Sequence, residues 1–174
     1  MDKHKYPIGK YRSVMDATPR DVVGWIDEIE TFPDKLHLEV SHLSKPQLDT
    51  PYREEGWTIR QVIHHIADSH LNGISRIKFA LTEDCPTIQP YNQDRWAELS
   101  DYSMDINSSL QLISGLHQRW THLLRSLDKK QLIREFIHPE SGIQVLKNLI
   151  GHYAWHGKHH LGHITTLKKR KNWN

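Results

Sequence analysis

Four stretches of this chain repeat apolar residues every three or four positions, and that period admits little except long amphipathic helices packed on one another. The first carries Val22, Val23, Trp25, Ile26 and Ile29, with Leu36, Val40 and Leu43 continuing the face. The second carries Ile59, Val62, Ile63, Ile66, Ile74, Ile77 and Leu81, and the third Leu110, Ile113, Leu116, Trp120 and Leu124. The last carries Leu146, Leu149, Ile150, Tyr153, Leu161, Ile164 and Leu167. Start signals precede two of them: Thr18-Pro19 opens the first helix, and Thr58 with Gln61 forms a capping box for the second. Ser44 with Gln47 opens a short helical turn in the same way. Pro33 predicts a kink in the first helix or the start of a second segment.

Between the long helices, Asn92 or Asp94 caps a short helix near Trp96, and residues 128–135 form another. Residues 139–142 read as a turn between two brief extended pieces. The expected fold is all-α: a four-helix bundle over residues 18–174 with short extra helices in the crossover loops, after an extended arm over 1–17. Loops 44–57 and 83–106 are too long for simple up-down hairpins, which predicts crossovers there.

A length of 174 residues suits one such domain. The net charge of +2, from 23 basic and 21 acidic residues, gives no nucleic-acid surface. The single basic cluster, Lys168 to Lys171, follows a helix end, where cations offset the dipole. Cys85 is the only cysteine; it forms no internal disulfide and suits a reducing compartment. No secretory signal and no membrane-spanning apolar run is visible, so the expectation is a cytoplasmic protein without membrane contact.

Histidine departs from this ordinary composition. The chain has 14, and His152, His156, His159, His160 and His163 fall within twelve residues of the last helix. Imidazole is the commonest transition-metal ligand, and helical residues four apart share a face. His160 lies roughly 40° and His156 roughly 80° from the centre of the apolar stripe. His163, His152 and His159 lie further round, at roughly 100°, 120° and 140°. His156 and His160 are therefore the pair that looks into the bundle, and Gly157 between them leaves room for a partner helix or a ligand.

A third ligand has to come from elsewhere, and His64, His65 and His70 on the second helix are the donors at hand. Periodicity favours His70, on the stripe centre, over His65, about 130° away. A core histidine with both nitrogens hydrogen-bonded fits His70 equally well. His4, His37, His42, His117, His122 and His138 read as surface residues. No HExxH is present, so two helical histidines with a glutamate base are not the arrangement here.

Longer segments resemble the DinB/YfiT-like family. They are YPIGKY at residues 6–11, QLDTPYREEGWTIRQVIHHIADSH at 47–70, LTEDCPTIQPY at 81–91, LHQRWTHLLRSL at 116–127 and YAWHGKHHLGHI at 153–164. The resemblance spans nearly the whole chain and points to the YfiT-type metal-dependent hydrolases. It implies His65, His156 and His160 as ligands of one divalent transition metal per chain, zinc first and nickel as the alternative, and it replaces His70 with His65. It also implies a homodimer. The chain departs from the family where Val145 and Lys147 stand in place of a threonine cap and a glutamate, which predicts a last helix without a side-chain cap.

Three imidazoles with an open fourth position make a catalytic zinc-type site, whereas four protein ligands close a structural one. Such a metal activates water for attack on a small-molecule substrate, the hydrolase expectation. Alternatively it holds a low-molecular-weight thiol cosubstrate as thiolate, as the bacillithiol- and mycothiol-dependent S-transferases of the superfamily imply. A non-catalytic metal-binding protein, its sphere closed by His159, His163 or another side chain, is the third possibility. No residue stands out as acid or base. Asp68, close to His65 on the same helix, is the candidate for orienting a ligand from behind, against the plainer role of an exposed carboxylate.

Overall fold

The computed structural model describes residues 3–14 and 16–173. Met1, Asp2 and Met15 of the expected arm, and Asn174 of the expected bundle, lie outside the described residues. Four long helices carry the fold: α1 (Pro19–Val40), α3 (Ile59–Thr82), α5 (Asn107–Arg125) and α7 (Leu146–Lys171). Short helices α2 (Lys45–Leu48), α4 (Gln93–Trp96) and α6 (Lys129–Leu132) and a 3₁₀ turn at Ser100–Ser103 occupy the connections. Strands β1 (Glu135–His138) and β2 (Gly142–Val145) form a two-stranded antiparallel hairpin just before α7.

The helix starts follow local chemistry. At Thr18 and at Thr58 the capping hydroxyl accepts the N–H three residues on, and the side chain at that position accepts the cap's own N–H. Asp128 and Gln131 do the same for α6. At Val145 no side chain caps α7; instead the Leu146 N–H donates to the Arg134 carbonyl at 2.9 Å, so the hairpin supplies one of the missing bonds. Pro33 does not divide the first helix: α1 runs from Pro19 to Val40 as one element with the proline inside it. The carbonyl that Pro33 leaves without a helical donor finds another partner, described below.

α1 packs against α5 and α7, and α3 packs against the same two, so the order around the bundle is α1, α5, α3, α7. The first connection, residues 41–58, therefore crosses a diagonal, as expected of the long loop there. The second expectation needs correction. Residues 83–106 join neighbouring helices, and the other diagonal crossing is made by residues 126–145. The length of 83–106 goes into covering: Ile88 N–H donates to Ile137 O and Ile137 N–H to Pro86 O, which ties this loop to β1.

The core is divided in two. Val22, Ile26, Ile29, Ile74, Ile77, Trp120, Leu124, Ile150 and Tyr153 fill one end. Leu36, Val40, Ile63, Ile66, Ile113, Ile164 and Leu167 fill the other. Between the two apolar blocks, at the middle of all four helices, lies a layer of buried histidines. Burying so many polar rings costs free energy unless each finds a partner. The arm over residues 3–14 runs along α7, where Tyr11 Oη donates to Asn148 O and Pro7 packs on Gly162. Among the described residues, no helix is long and apolar enough to cross a membrane.

Candidate metal centre

His65 comes from the second turn of α3, and His156 and His160 from successive turns of α7. One ligand-capable nitrogen from each lies within 4.8 Å of the others, and all three side chains are buried. The Nε2 atoms of His65 and His156 are 3.3 Å apart. Two nitrogens each about 2.0–2.1 Å from a tetrahedral zinc stand about 3.3–3.4 Å apart, so this spacing fits two ligands of one ion. Burial drives all three rings far towards the neutral, ligating form: His65 is pushed down to about 3, and His156 and His160 lie well below the ordinary imidazole value.

The flank of α3 that carries His65 is covered from outside the helix. Trp57 packs against the His65 ring at 4.7 Å, held by the Pro51–Thr58 bridge and the Tyr52 N–H to Trp57 O bond. Gly157 leaves its space to the partner helix: a Cβ there would come 2.9 Å from Phe32 of α1. The expected room thus serves helix packing.

His156 and His160 line a cleft of about 710 Å³, walled by Trp57, Tyr91, Tyr153 and Tyr6 among others, with His65 behind them. Ser69 Oγ lies 3.4 Å from His156 Nε2 at its floor. Burial pushes the Tyr91 hydroxyl up to about 12, so at neutral pH it stays protonated, a hydrogen-bond donor at the cleft wall.

His70 is not part of the triad, yet it lies in the same layer with both nitrogens paired. Its Nδ1 is 2.7 Å from His117 Nε2, and its Nε2 is 3.1 Å from His156 Nδ1. His117 is not the surface residue the sequence suggested: it is 1% exposed, and its Nδ1 lies 2.6 Å from the Ile29 carbonyl. His163 and His159, placed by angle on the outer flank of α7, are also buried. Tyr52 stacks on His163 at 4.0 Å, and Trp155 on His159 at 4.5 Å. His163 bridges His160 Nδ1 (3.3 Å) and the carbonyl of Lys5 (3.1 Å). His64 turns away towards α5, bonding Ser109 Oγ and Met104 O.

The Asp68 carboxylate accepts from Tyr102 Oη at 2.6 Å, and among the described residues it has no hydrogen bond to a histidine. One residue of helix register decides this: Asp68 is three positions from His65 but points to the 3₁₀ turn rather than to α7. The groups behind the ligands are instead His70, His117 and His163. Pro33, one turn after Ile29, was the available signal for His117, because an in-helix proline frees a carbonyl.

A profile of the DinB superfamily matches residues 28–164, from α1 to α7. The chain belongs to the DinB superfamily. Among DinB relatives, a protein of Oceanobacillus iheyensis named provisionally as a metal-dependent hydrolase is 54% identical over 170 residues, covering 97% of this chain and 98% of its own length. One from Bacillus cereus strain 03BB102 with the same kind of name is 48% identical over 173 residues, 99% of this chain and all of the relative. The solved structure of Bacillus subtilis YfiT superposes with a TM-score of 0.96 at 45% identity, covering 99% of each chain. It is described provisionally as a metal-dependent hydrolase with an unusual four-helix bundle topology. The diagonal connections of this DinB chain give the same bundle its topology here.

Proposed function

We propose that this protein is a metal-dependent hydrolase acting on a small molecule, with His65, His156 and His160 holding one divalent metal. The observation that carries the reading is the convergence of three buried, neutral imidazoles at ligand spacing, two of which, His156 and His160, line an open cleft. The all-imidazole donor set suits zinc, nickel, iron or copper, of which zinc is taken first and nickel as the alternative. When bound, the metal supplies Lewis acidity and an activated water.

The chain's own residues do the rest. His65, His156 and His160 would hold the ion beside the cleft that His156 and His160 line. Tyr91 donates a hydrogen bond to substrate from the wall, and Ser69 lies beside His156 to receive or give one. Trp57 and Tyr6 shield the centre from bulk water.

One observation favours a second reading. The carboxylate closest in sequence to His65, that of Asp68, is engaged by Tyr102 and is not at hand as a base. A low-molecular-weight thiol held as thiolate needs no such base, so thiol S-transfer is the alternative within the same site. Assay of the zinc- and nickel-loaded protein against a model electrophilic ester and a thiol-reactive electrophile, with and without added thiol, separates the two. Thiol-independent turnover that disappears in His156→Ala supports hydrolysis. Turnover only with thiol overturns it in favour of transfer, and none with either overturns both.

A further inference from the structure

We propose that two histidine relays, each ending on a backbone carbonyl, fix which nitrogen of His156 and of His160 is left open, making His70, His117 and His163 positioning residues for the ligands. The inference rests on the metal-centre reading above and deepens it. Its physical origin is Pro33. A proline has no N–H, so the Ile29 carbonyl one turn earlier lacks its helical donor. His117 Nδ1 takes that place at 2.6 Å.

A carbonyl can only accept, so the proton sits on His117 Nδ1, and in a neutral ring Nε2 is then a bare acceptor. His70 Nδ1, 2.7 Å away, must donate to it, which leaves His70 Nε2 an acceptor in turn. His156 Nδ1, at 3.1 Å, must donate there. His156 Nε2 therefore ends with its lone pair open, on the side where His65 Nε2 stands 3.3 Å away.

The second relay runs the same way from the arm. Lys5 O accepts from His163 Nε2, so His163 Nδ1 accepts from His160 Nδ1, and His160 Nε2 is left open. Every ring in both chains is buried away from solvent, which favours the neutral form. Reversing either chain would set two lone pairs against each other at its carbonyl end. Partners behind a ligating histidine commonly select its tautomer; here the partners are histidines, and the carbonyls at their ends set the direction.

The test is the imidazole ¹⁵N spectrum of the metal-free protein, paired with zinc and nickel affinities. The native chain is expected to show His156 and His160 both protonated at Nδ1. In His117→Leu, His70 loses its acceptor and turns its proton towards His156, which then carries its own proton on Nε2; affinity falls ten- to a hundredfold. His117→Gln, whose amide can donate to Ile29 O and accept from His70, restores most of both signals. His163→Leu releases His160 while leaving the His156 tautomer unchanged, and it keeps the proposal open to refutation if His117→Leu fails to fold. A native spectrum with the proton on Nε2 of either ligand overturns the proposal, as do both leucine variants with native tautomers and affinity. A native chain that takes up no metal overturns the metal-centre reading instead, while the spectrum still decides the relays.

Discussion

His156 and His159 are three residues apart on α7, both buried and both in the cleft wall, yet they have different partners. His156 has His65 Nε2 on one side and His70 behind it. His159 stacks on Trp155, and its Nδ1 has no hydrogen-bond partner. Bound metal per chain, measured by elemental analysis after desalting, is therefore expected to fall near zero in His156→Ala and to stay at the native level in His159→Ala. Full occupancy in His156→Ala would remove it from the ligand set. Angles along the last helix were enough to put His156 and His160 together. They were not enough for His65, His117 or His163, because an angle from an apolar stripe says nothing about what covers the opposite flank.

At the scale of elements, caps and connections decide the boundaries. Thr18 and Thr58 cap where the sequence places them, Asn92 rather than Asp94 caps the short helix at Trp96, and Asp128 caps a helix shorter than the expected 128–135; a cap needs only residues three apart. The last helix starts without that help, and the Arg134 carbonyl satisfies only the Leu146 N–H. Val145→Thr keeps the β-branched shape and adds a hydroxyl for the next free N–H groups. It is expected to stabilise the fold by about 0.5–1 kcal/mol, seen as a higher urea midpoint with unchanged slope; a midpoint equal to or below the native one would mean that the hairpin already satisfies this helix end. Pro33 shows the reverse case. Its effect on α1 was legible only as a kink or a new segment, because whether the freed carbonyl stays bare depends on α5, 84 residues further on.

For the whole molecule, the buried histidine layer ties stability to pH. His117 and His152 are held at about 4 by burial, below the ordinary 6.5 they recover on unfolding. As pH falls below 6.5 the unfolded chain takes up protons that the native state refuses until about pH 4, so stability is lost through that window and is flat above it. A shift of this size at the fully buried His117 corresponds to on the order of 3 kcal/mol, a large part of the stability of an ordinary domain. The metal-free protein is expected to show a denaturant midpoint that is level from pH 8 to 7 and falls steeply from 6.5 to 4. A midpoint unchanged down to pH 5 would show that the layer is wetter than its burial implies.

Sequence by itself determined what depends on near neighbours: the four helices, the caps of the first two long ones, and the inward pair His156 and His160. Helical period and capping are set by residues three or four apart, and the chain spells these out. Tertiary structure alone decided which diagonal each connection crosses, that Trp57 and Tyr52 close over flanks that local pattern marks as outer, and that Asp68 belongs to Tyr102. It also decided that carbonyls of Ile29 and Lys5, far apart in the chain, stand at the two ends of the histidine layer. These are contacts between segments dozens of residues apart, fixed by how the helices pack and what the loops cover.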